Sequence, residues 1–229
     1  MKTFDVIVLG AGSAGVSAAL RASDQGAKVC IIEQEKIGGS CIYKGLYPLK
    51  LGLSLLRNNE SNFNINGLLD SEKLFHKITD SMQLLSELWE QRLTEAGVTI
   101  KIGSGLPLSS DLVQVRSNDK TFDIATKKII IATGSSSVPL PTLPFEGNII
   151  VPADDIFNNY SIPDRVFIMG AGGYGCELSI FYQMLGSKVF LSSDHSRMIP
   201  DQDPEIINNL ERSLKSLKVK LLLGKKISS

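Results

Sequence analysis

Cysteine is scarce in this 229-residue chain, and the three that occur, Cys30, Cys41 and Cys176, are irregularly spaced. That spacing suggests neither a disulfide framework nor a zinc site. Charge of one sign is not in excess either, because 24 Lys and Arg balance 24 Asp and Glu. Nothing in that balance argues for nucleic acid or an anionic membrane surface as partner, and small molecules or proteins are expected instead. No apolar run approaches the length that spans a bilayer. The opening MKTFDVIVLGAG passes from a short polar start into a strand-like run, without the apolar stretch and small-residue cleavage site of a signal peptide. A cytoplasmic protein is the expectation.

What the sequence does have is an internal repeat. The apolar run FDVIVL breaks at glycine in FDVIVLGAGSAG, a helical pattern follows to Gly26, and CIIE begins a second strand. The same unit returns as RVFIMGAGGYG, with a helix ending near Gly186 and a strand from Val189. Gly10, Gly12 and Gly15 recur as Gly170, Gly172 and Gly175, each 160 residues later. One G-x-G-x-x-G is weak evidence, since glycine clusters are common in loops. Two copies, each set between a strand-like run and a helix, point to two dinucleotide-binding units. The fold class expected is therefore α/β with two Rossmann-like units.

The chemistry follows from the strand–turn–helix geometry. The first glycine permits a tight turn, the second lets the backbone approach a diphosphate, and the third allows close helix–strand packing at a helix N-terminus with unpaired N–H groups. In the first copy the second strand ends at Glu33, where a carboxylate can accept hydrogen bonds from ribose hydroxyls. In the second copy Ser193 holds the equivalent position and Asp194 lies one residue late. Neighbouring strand positions face opposite ways, so Asp194 substitutes only where the strand has already ended. A dinucleotide carrying a 2′-phosphate would need a nearby cation, for which Arg197 and Lys188 are the candidates, and the choice between NAD and NADP stays open.

Between the repeats, DSEKLFHKITDSMQLLSELWEQRLTEAG reads as a helix ending at Gly97, carrying His76 and Trp89. With no second ligand at metal spacing, His76 reads as a partly exposed helix residue. Short strand-like pieces follow, VTIKI, LVQVRS, TFDIA and KKIIIA, and the proline-rich PLPTLPFEG reads as a connection between domains spanning 1–145 and 146–229. Cys30, inside a strand run, reads as core. Cys176, at a helix start, has either a packing role or a lowered pKa.

These residues together resemble the flavoprotein disulfide reductases, and among them the dihydrolipoamide dehydrogenase type. The resemblance runs from DVIVLGAGSAG through IIIATGS and GAGGYGCE to SRMIPDQDPEI. It implies FAD at the first repeat and NAD or NADP at the second. It further implies cofactor contacts from Gly10, Gly12, Ser13, Gly15 and Glu33, from Gly39, Ser40, Cys41 and Lys50, and from Ala132, Thr133 and Gly134. At the second repeat it implies contacts from Gly170, Gly172, Gly175 and Ser193. It also makes Arg197 and Pro200 part of the usual segment after the second strand, which counts against reading Arg197 as a 2′-phosphate ligand.

The family carries G-G-T-C-x4-C-x-P-S-K, against which GGSCIYKGLYPLK matches at Gly38, Gly39, Cys41, Gly45, Pro48 and Lys50. Ser40 is a mild change, Leu46 replaces the second cysteine and Leu49 replaces the serine. In the family the second cysteine passes electrons from the flavin to the first, which exchanges with a disulfide substrate. Leucine is no nucleophile, so that exchange is expected to fail. Lys50, set near the flavin and paired with Glu177, survives, so the candidate catalytic residues are Cys41, Lys50 and Glu177. Where many relatives have a gating tyrosine this chain has Gly173, with Tyr174 one position late.

The expected function is FAD-dependent, pyridine-nucleotide-linked hydride transfer with thiol–disulfide exchange disabled. The alternatives are a transhydrogenase-like activity, resembling the soluble transhydrogenases that lack the second cysteine, or a non-catalytic dinucleotide-binding or interaction module. Relatives continue for about as long again, adding a Gly-Asp strand to the FAD domain and a dimerisation domain. A fragment or a shortened relative is therefore expected, with a homodimer or a missing C-terminal half as possible partners.

Overall fold

A computed structural model describes residues 3–58, 64–65, 68–118, 120–147, 149–158 and 162–226. By its contacts the chain forms two units, one of residues 1–47 and 80–137, the other of residues 48–79 and 138–229.

In the first unit, β1 (Thr3–Leu9), α1 (Ser13–Asp24) and β2 (Val29–Glu33) form the strand–helix–strand that the sequence predicts. β1 pairs in parallel with β2 on one side and with the end of β8 (Lys120–Ile131) on the other. Outside β2 lies β5 (Thr99–Ile102), also parallel. Outside β8 lie β7 (Leu112–Ser117) and β6 (Ser104–Pro107), both antiparallel, giving the order β5-β2-β1-β8-β7-β6. β1 from Val6 to Leu9 and β2 from Val29 to Ile32 are continuously apolar, as strands covered on both faces are. One face packs Val8, Ala19, Val29, Ile31 and Leu93, and the other packs Ile7, Leu9, Ile32, Val113 and Val115.

One expectation changes here. TFDIA and KKIIIA are one continuous strand rather than two pieces. β8 pairs antiparallel with β7 through its first half and parallel with β1 through its second, so each half serves a different partner. The stretch GGSCIYKGLYPLK is not a single helix. It comprises α2 (Gly39–Tyr43) and the start of α3 (Leu46–Arg57), interrupted at Lys44–Gly45. Pro48 sits in the first turn of α3, where its missing N–H costs no helical hydrogen bond.

In the second unit β9 (Arg165–Met169), α5 (Gly173–Met184) and β10 (Lys188–Ser193) repeat the motif, and β11 (Lys220–Leu223) completes a parallel sheet in the order β11-β10-β9. α6 (Pro204–Ser216) joins β10 to β11. Asp203 caps it, accepting a hydrogen bond from the Glu205 amide at 2.8 Å, with Pro204 opening the helix. The two copies agree in register as well as in sequence. Leu9 pairs with Ile32 and the Gly10 amide donates to the Ile32 carbonyl, just as Met169 pairs with Ser192 and the Gly170 amide donates to the Ser192 carbonyl.

The two-stranded ribbon β3 (Asn64–Ile65) with β4 (Leu68–Leu69) and the long α4 (Ser71–Glu95) lie between the repeats. His76 is about half exposed and 3.7 Å from Glu72 one turn earlier, as a surface helix residue would be. Among the described residues no helix is long and apolar enough to cross a membrane, and no cluster of three metal-ligating side chains occurs.

Candidate nucleotide sites and the Lys50–Glu177 pair

The first turn is shaped by the absence of side chains. Gly10 has φ +96°, and a Cβ there would lie 2.3 Å from the Ala132 carbonyl oxygen. A Cβ on Gly15 would lie 1.9 Å from the Gly10 oxygen, so α1 packs closely on the turn only because both residues are glycine. Gly12 differs from both, with ordinary φ −73° and only the Gly39 Cα as near as 4.0 Å to an added Cβ. Its side faces space rather than protein.

The helix N-terminus at Gly12 has no side-chain cap and no acidic residue in its first turn. Its first N–H groups therefore retain hydrogen-bonding capacity for an anion. Ser13 is exposed at the start of that helix. Glu33 is tied into the turn, accepting from the Ala11 amide at 2.6 Å and the Glu35 amide at 2.9 Å. An ionised carboxylate has about four acceptor positions, so capacity for ribose hydroxyls remains.

Two further segments border this turn. Gly38 forms a bridge with Gly12 and donates its amide to the Ala11 carbonyl at 2.8 Å, bringing Gly39, Ser40 and Cys41 to the turn. A Cβ on Gly39 would come within 2.9 Å of the Gly12 Cα. On the other side the Ala132 amide donates to the Leu9 carbonyl, which brings the Ala132–Thr133–Gly134 segment to the end of β1. The open glycine, the uncapped helix and the anchored carboxylate fit a dinucleotide diphosphate and its ribose.

The second turn repeats the construction. A Cβ on Gly175 would lie 1.9 Å from the Gly170 oxygen, whereas one on Gly172 would have nothing within 4 Å. α5 is likewise uncapped and has no acid in its first turn. Ser193 closes β10, and its hydroxyl accepts from the His195 amide at 3.1 Å. Lys188 lies at the opposite end of that strand, with its ammonium 5.7 Å from the Phe190 ring centre. Five residues of strand amount to about 17 Å, which removes Lys188 from any ribose contact at Ser193.

α3 and α5 carry the remaining candidates, and their packing explains how these meet. Leu49 and Leu53 point into the core, and Gly52 is so close to α5 that a Cβ would lie 2.6 Å from the Phe181 ring. Phe181 packs with Phe75 and Phe157 in a buried aromatic cluster. Leu49, which replaces the family serine, is thus a core residue. Beside them on α3, Lys50 reaches Glu177 on α5, joined by a direct ion pair. A cavity of about 330 Å³ adjoins the pair, lined also by Ser54, Arg57, Asn58 and Ile180. The sequence reading missed Ser54 and Arg57. Their spacing of four and seven residues from Lys50, which puts all three on one helix face, was the available signal.

The cysteines divide clearly. No disulfide joins any two of the three. Cys30 is fully buried in the core, as expected. Cys176 is also buried, and burial, with the neighbouring Glu177 carboxylate second, pushes its thiol up to about 11. The alternative of a lowered Cys176 pKa is thereby overturned, since desolvation outweighs any stabilisation from the helix N-terminus. Cys41, in the first unit, is partly exposed. Leu46 is 59% exposed. Tyr174 is held by its hydroxyl, which donates to the Ala153 carbonyl at 3.3 Å, and burial drives its pKa well above the usual phenol range.

Comparison with known proteins agrees with this architecture. A family profile described as pyridine nucleotide-disulphide oxidoreductase matches residues 4–229. The chain is 31% identical over 241 residues to dihydrolipoyl dehydrogenase of Buchnera aphidicola, covering 98% of this chain and 49% of that protein. It is 28% identical to the Bacillus subtilis enzyme, covering 98% and 51%. Among solved structures, LpdA from Mycobacterium tuberculosis superposes with a TM-score of 0.88 at 22% identity, over all of this chain and 52% of that one. The flavoprotein disulfide reductase RclA from Escherichia coli, solved as a Cu(II) complex, gives 0.86 at 22%, over all of this chain and 51% of that one. The chain spans about half the length of the relatives it matches. With both glycine turns, their register and the family profile in agreement, the chain belongs to the pyridine nucleotide-disulphide oxidoreductases, a family that uses FAD and NAD(P)H.

Proposed function

We propose that this chain binds FAD at the Gly10–Gly15 turn and a nicotinamide dinucleotide at the Gly170–Gly175 turn, and supports hydride transfer between them without thiol–disulfide exchange. The observation that carries the reading is the pair of turns in matching register, each with an uncapped helix and a middle glycine whose side is open. When bound, the flavin would supply the acceptor for the two electrons that a reduced nicotinamide gives up.

The residues of the chain then have separate tasks. The N–H groups at the start of α1 and α5 bind diphosphate, and Glu33 orients the adenosine ribose of the FAD. Gly39, Ser40, Cys41, Ala132, Thr133 and Gly134 border the FAD groove. Lys50, paired with Glu177, is assigned from the family motif a part in the flavin chemistry. Leu46 supplies no sulfur, and Cys30 and Cys176 are buried, so Cys41 has no accessible cysteine among the described residues with which to form a disulfide. Electrons therefore leave to an acceptor other than a dithiol, such as a dye, oxygen or another nicotinamide.

Two assays on one preparation test this. The purified chain is incubated with FAD, desalted and scanned in the visible, then supplied with NAD(P)H and either lipoamide or a redox dye. Retained yellow colour with dye reduction and no lipoamide turnover is expected. A colourless protein, or lipoamide turnover that survives Cys41→Ser, defeats the proposal. Tight dinucleotide binding with no flavin reduction would mark a binding module instead.

A further inference from the structure

The cavity beside the Lys50–Glu177 pair has a lining that the pairing of those two residues does not explain. Lys50, Ser54 and Arg57 follow one another on α3 at steps of four and three, which keeps them within roughly 60° of arc and spreads them over about 10 Å of helix. From α5 come Glu177 and, one turn later, Ile180. With Leu53 and Asn58 they enclose about 330 Å³, at the small end of the range for organic ligands.

The charges in the cavity do not cancel. Glu177 pairs with Lys50, and among the described residues Arg57 has no carboxylate partner. Two cations and one acid therefore leave a single positive charge, at Arg57. The Asn58 amide donates to the Ser54 hydroxyl oxygen at 3.5 Å, which leaves the Ser54 proton for an acceptor brought by a ligand. The rest of the lining is hydrocarbon, from Leu53 and Ile180. An arginine in the last turn of a helix complements the helix dipole, which accounts for Arg57 but for neither the hydroxyl one turn earlier nor the apolar lining.

From these features we infer that the cavity binds a small organic monoanion, a carboxylate on an apolar body, with Arg57 and Ser54 taking the carboxylate and Leu53 and Ile180 the body. A guanidinium holds a carboxylate through two parallel hydrogen bonds. A phosphate dianion suits the cavity less well, because it brings one charge more than Arg57 compensates, is repelled by Glu177 and leaves the hydrocarbon uncovered. Nothing in this binding depends on how the two glycine turns are filled.

The test titrates benzoate, its neutral analogue benzamide and inorganic phosphate separately into the chain with FAD in excess, following backbone amide shifts by NMR. Benzoate should shift amides along α3 and α5 and bind at least about tenfold more tightly than either control. Arg57→Met should lower benzoate affinity at least about tenfold. Arg57→Lys, which keeps the charge at the helix end but not the planar fork, should fall between. Ser54→Trp, at an exposed position, fills the cavity and should abolish benzoate binding even if Arg57→Met does not fold. Benzoate binding that a folded Arg57→Met or Ser54→Trp protein leaves unchanged overturns the inference. So does benzamide or phosphate binding as tightly as benzoate, or the absence of benzoate shifts along α3 and α5.

Discussion

The middle and last glycines of the second turn should respond differently to the same substitution. Gly172 has φ −75° and ψ 179°, a conformation open to any residue, and an added Cβ meets nothing within 4 Å. Alanine there removes a glycine from the unfolded ensemble, a gain of about 0.4–1 kcal/mol. It also replaces a better N-cap residue with a poorer one, a loss of about 0.5–1 kcal/mol. These effects offset, and a net change within about 1 kcal/mol corresponds to a Tm shift of roughly 2–4 °C or less for a chain of this size. At Gly175 the same methyl would lie 1.9 Å from a backbone oxygen and 3.1 Å from its carbon. The turn or the helix must move, at a cost of about 3 kcal/mol or more.

Binding should separate the two variants further. Gly172→Ala places its methyl in the space proposed for the diphosphate and should lose affinity for the nicotinamide dinucleotide at least about tenfold, some 1.4 kcal/mol, while remaining folded. Thermal unfolding and calorimetric titration on the same samples check both halves. A Gly172→Ala protein that binds as the parent does, or a Gly175→Ala protein of parental stability, refutes the assignment of the cradle.

Gly52→Ala forces a methyl to 2.6 Å from the Phe181 ring and should destabilise the second unit by about 1–3 kcal/mol, measured by denaturant midpoint. Lys50→Met and Glu177→Gln break an exposed ion pair, so each should change stability by less than about 1 kcal/mol. Their effect should fall instead on the rate of flavin reduction in stopped flow, and an unchanged rate would remove the pair from the chemistry. Near pH 8 a thiol-reactive disulfide should label Cys41 fastest, because Cys30 and Cys176 are buried. The raised Cys176 pKa has a linked effect on stability. Its folded value of about 11 exceeds the 9.0 of the free thiol, so the native state holds the proton longer and stability falls as pH rises from about 9 to 11. Cys176→Ala should flatten that limb of the pH–Tm profile, and an unaltered limb contradicts the assignment.

The glycine turns were legible because the features that fix them are local. A tight turn at Gly10 and close packing at Gly15 demand residues without side chains, and the demand is written twice at one spacing. The Lys50–Glu177 pair was legible only through resemblance, since 127 residues separate the partners and the contact depends on how closely Gly52 lets α3 approach α5. β6 was missed because Ser104–Pro107 has no apolar alternation and forms by pairing with β7. α6 went unremarked, although Asp203-Pro204-Glu205 is a helix-start signal that composition alone supplies. The fate of Cys176 depended on burial, which neighbours far along the chain decide.

Electron counting probes the central claim most directly. The FAD-loaded chain is titrated anaerobically with NADH and, separately, with NADPH while the flavin absorbance is followed. A flavin with no dithiol behind it accepts two electrons, so bleaching by whichever dinucleotide reduces it should be complete at about one equivalent per flavin, with no thiols gained on subsequent denaturation. Uptake of about two equivalents with two new thiols would reveal a working disulfide and contradict the account.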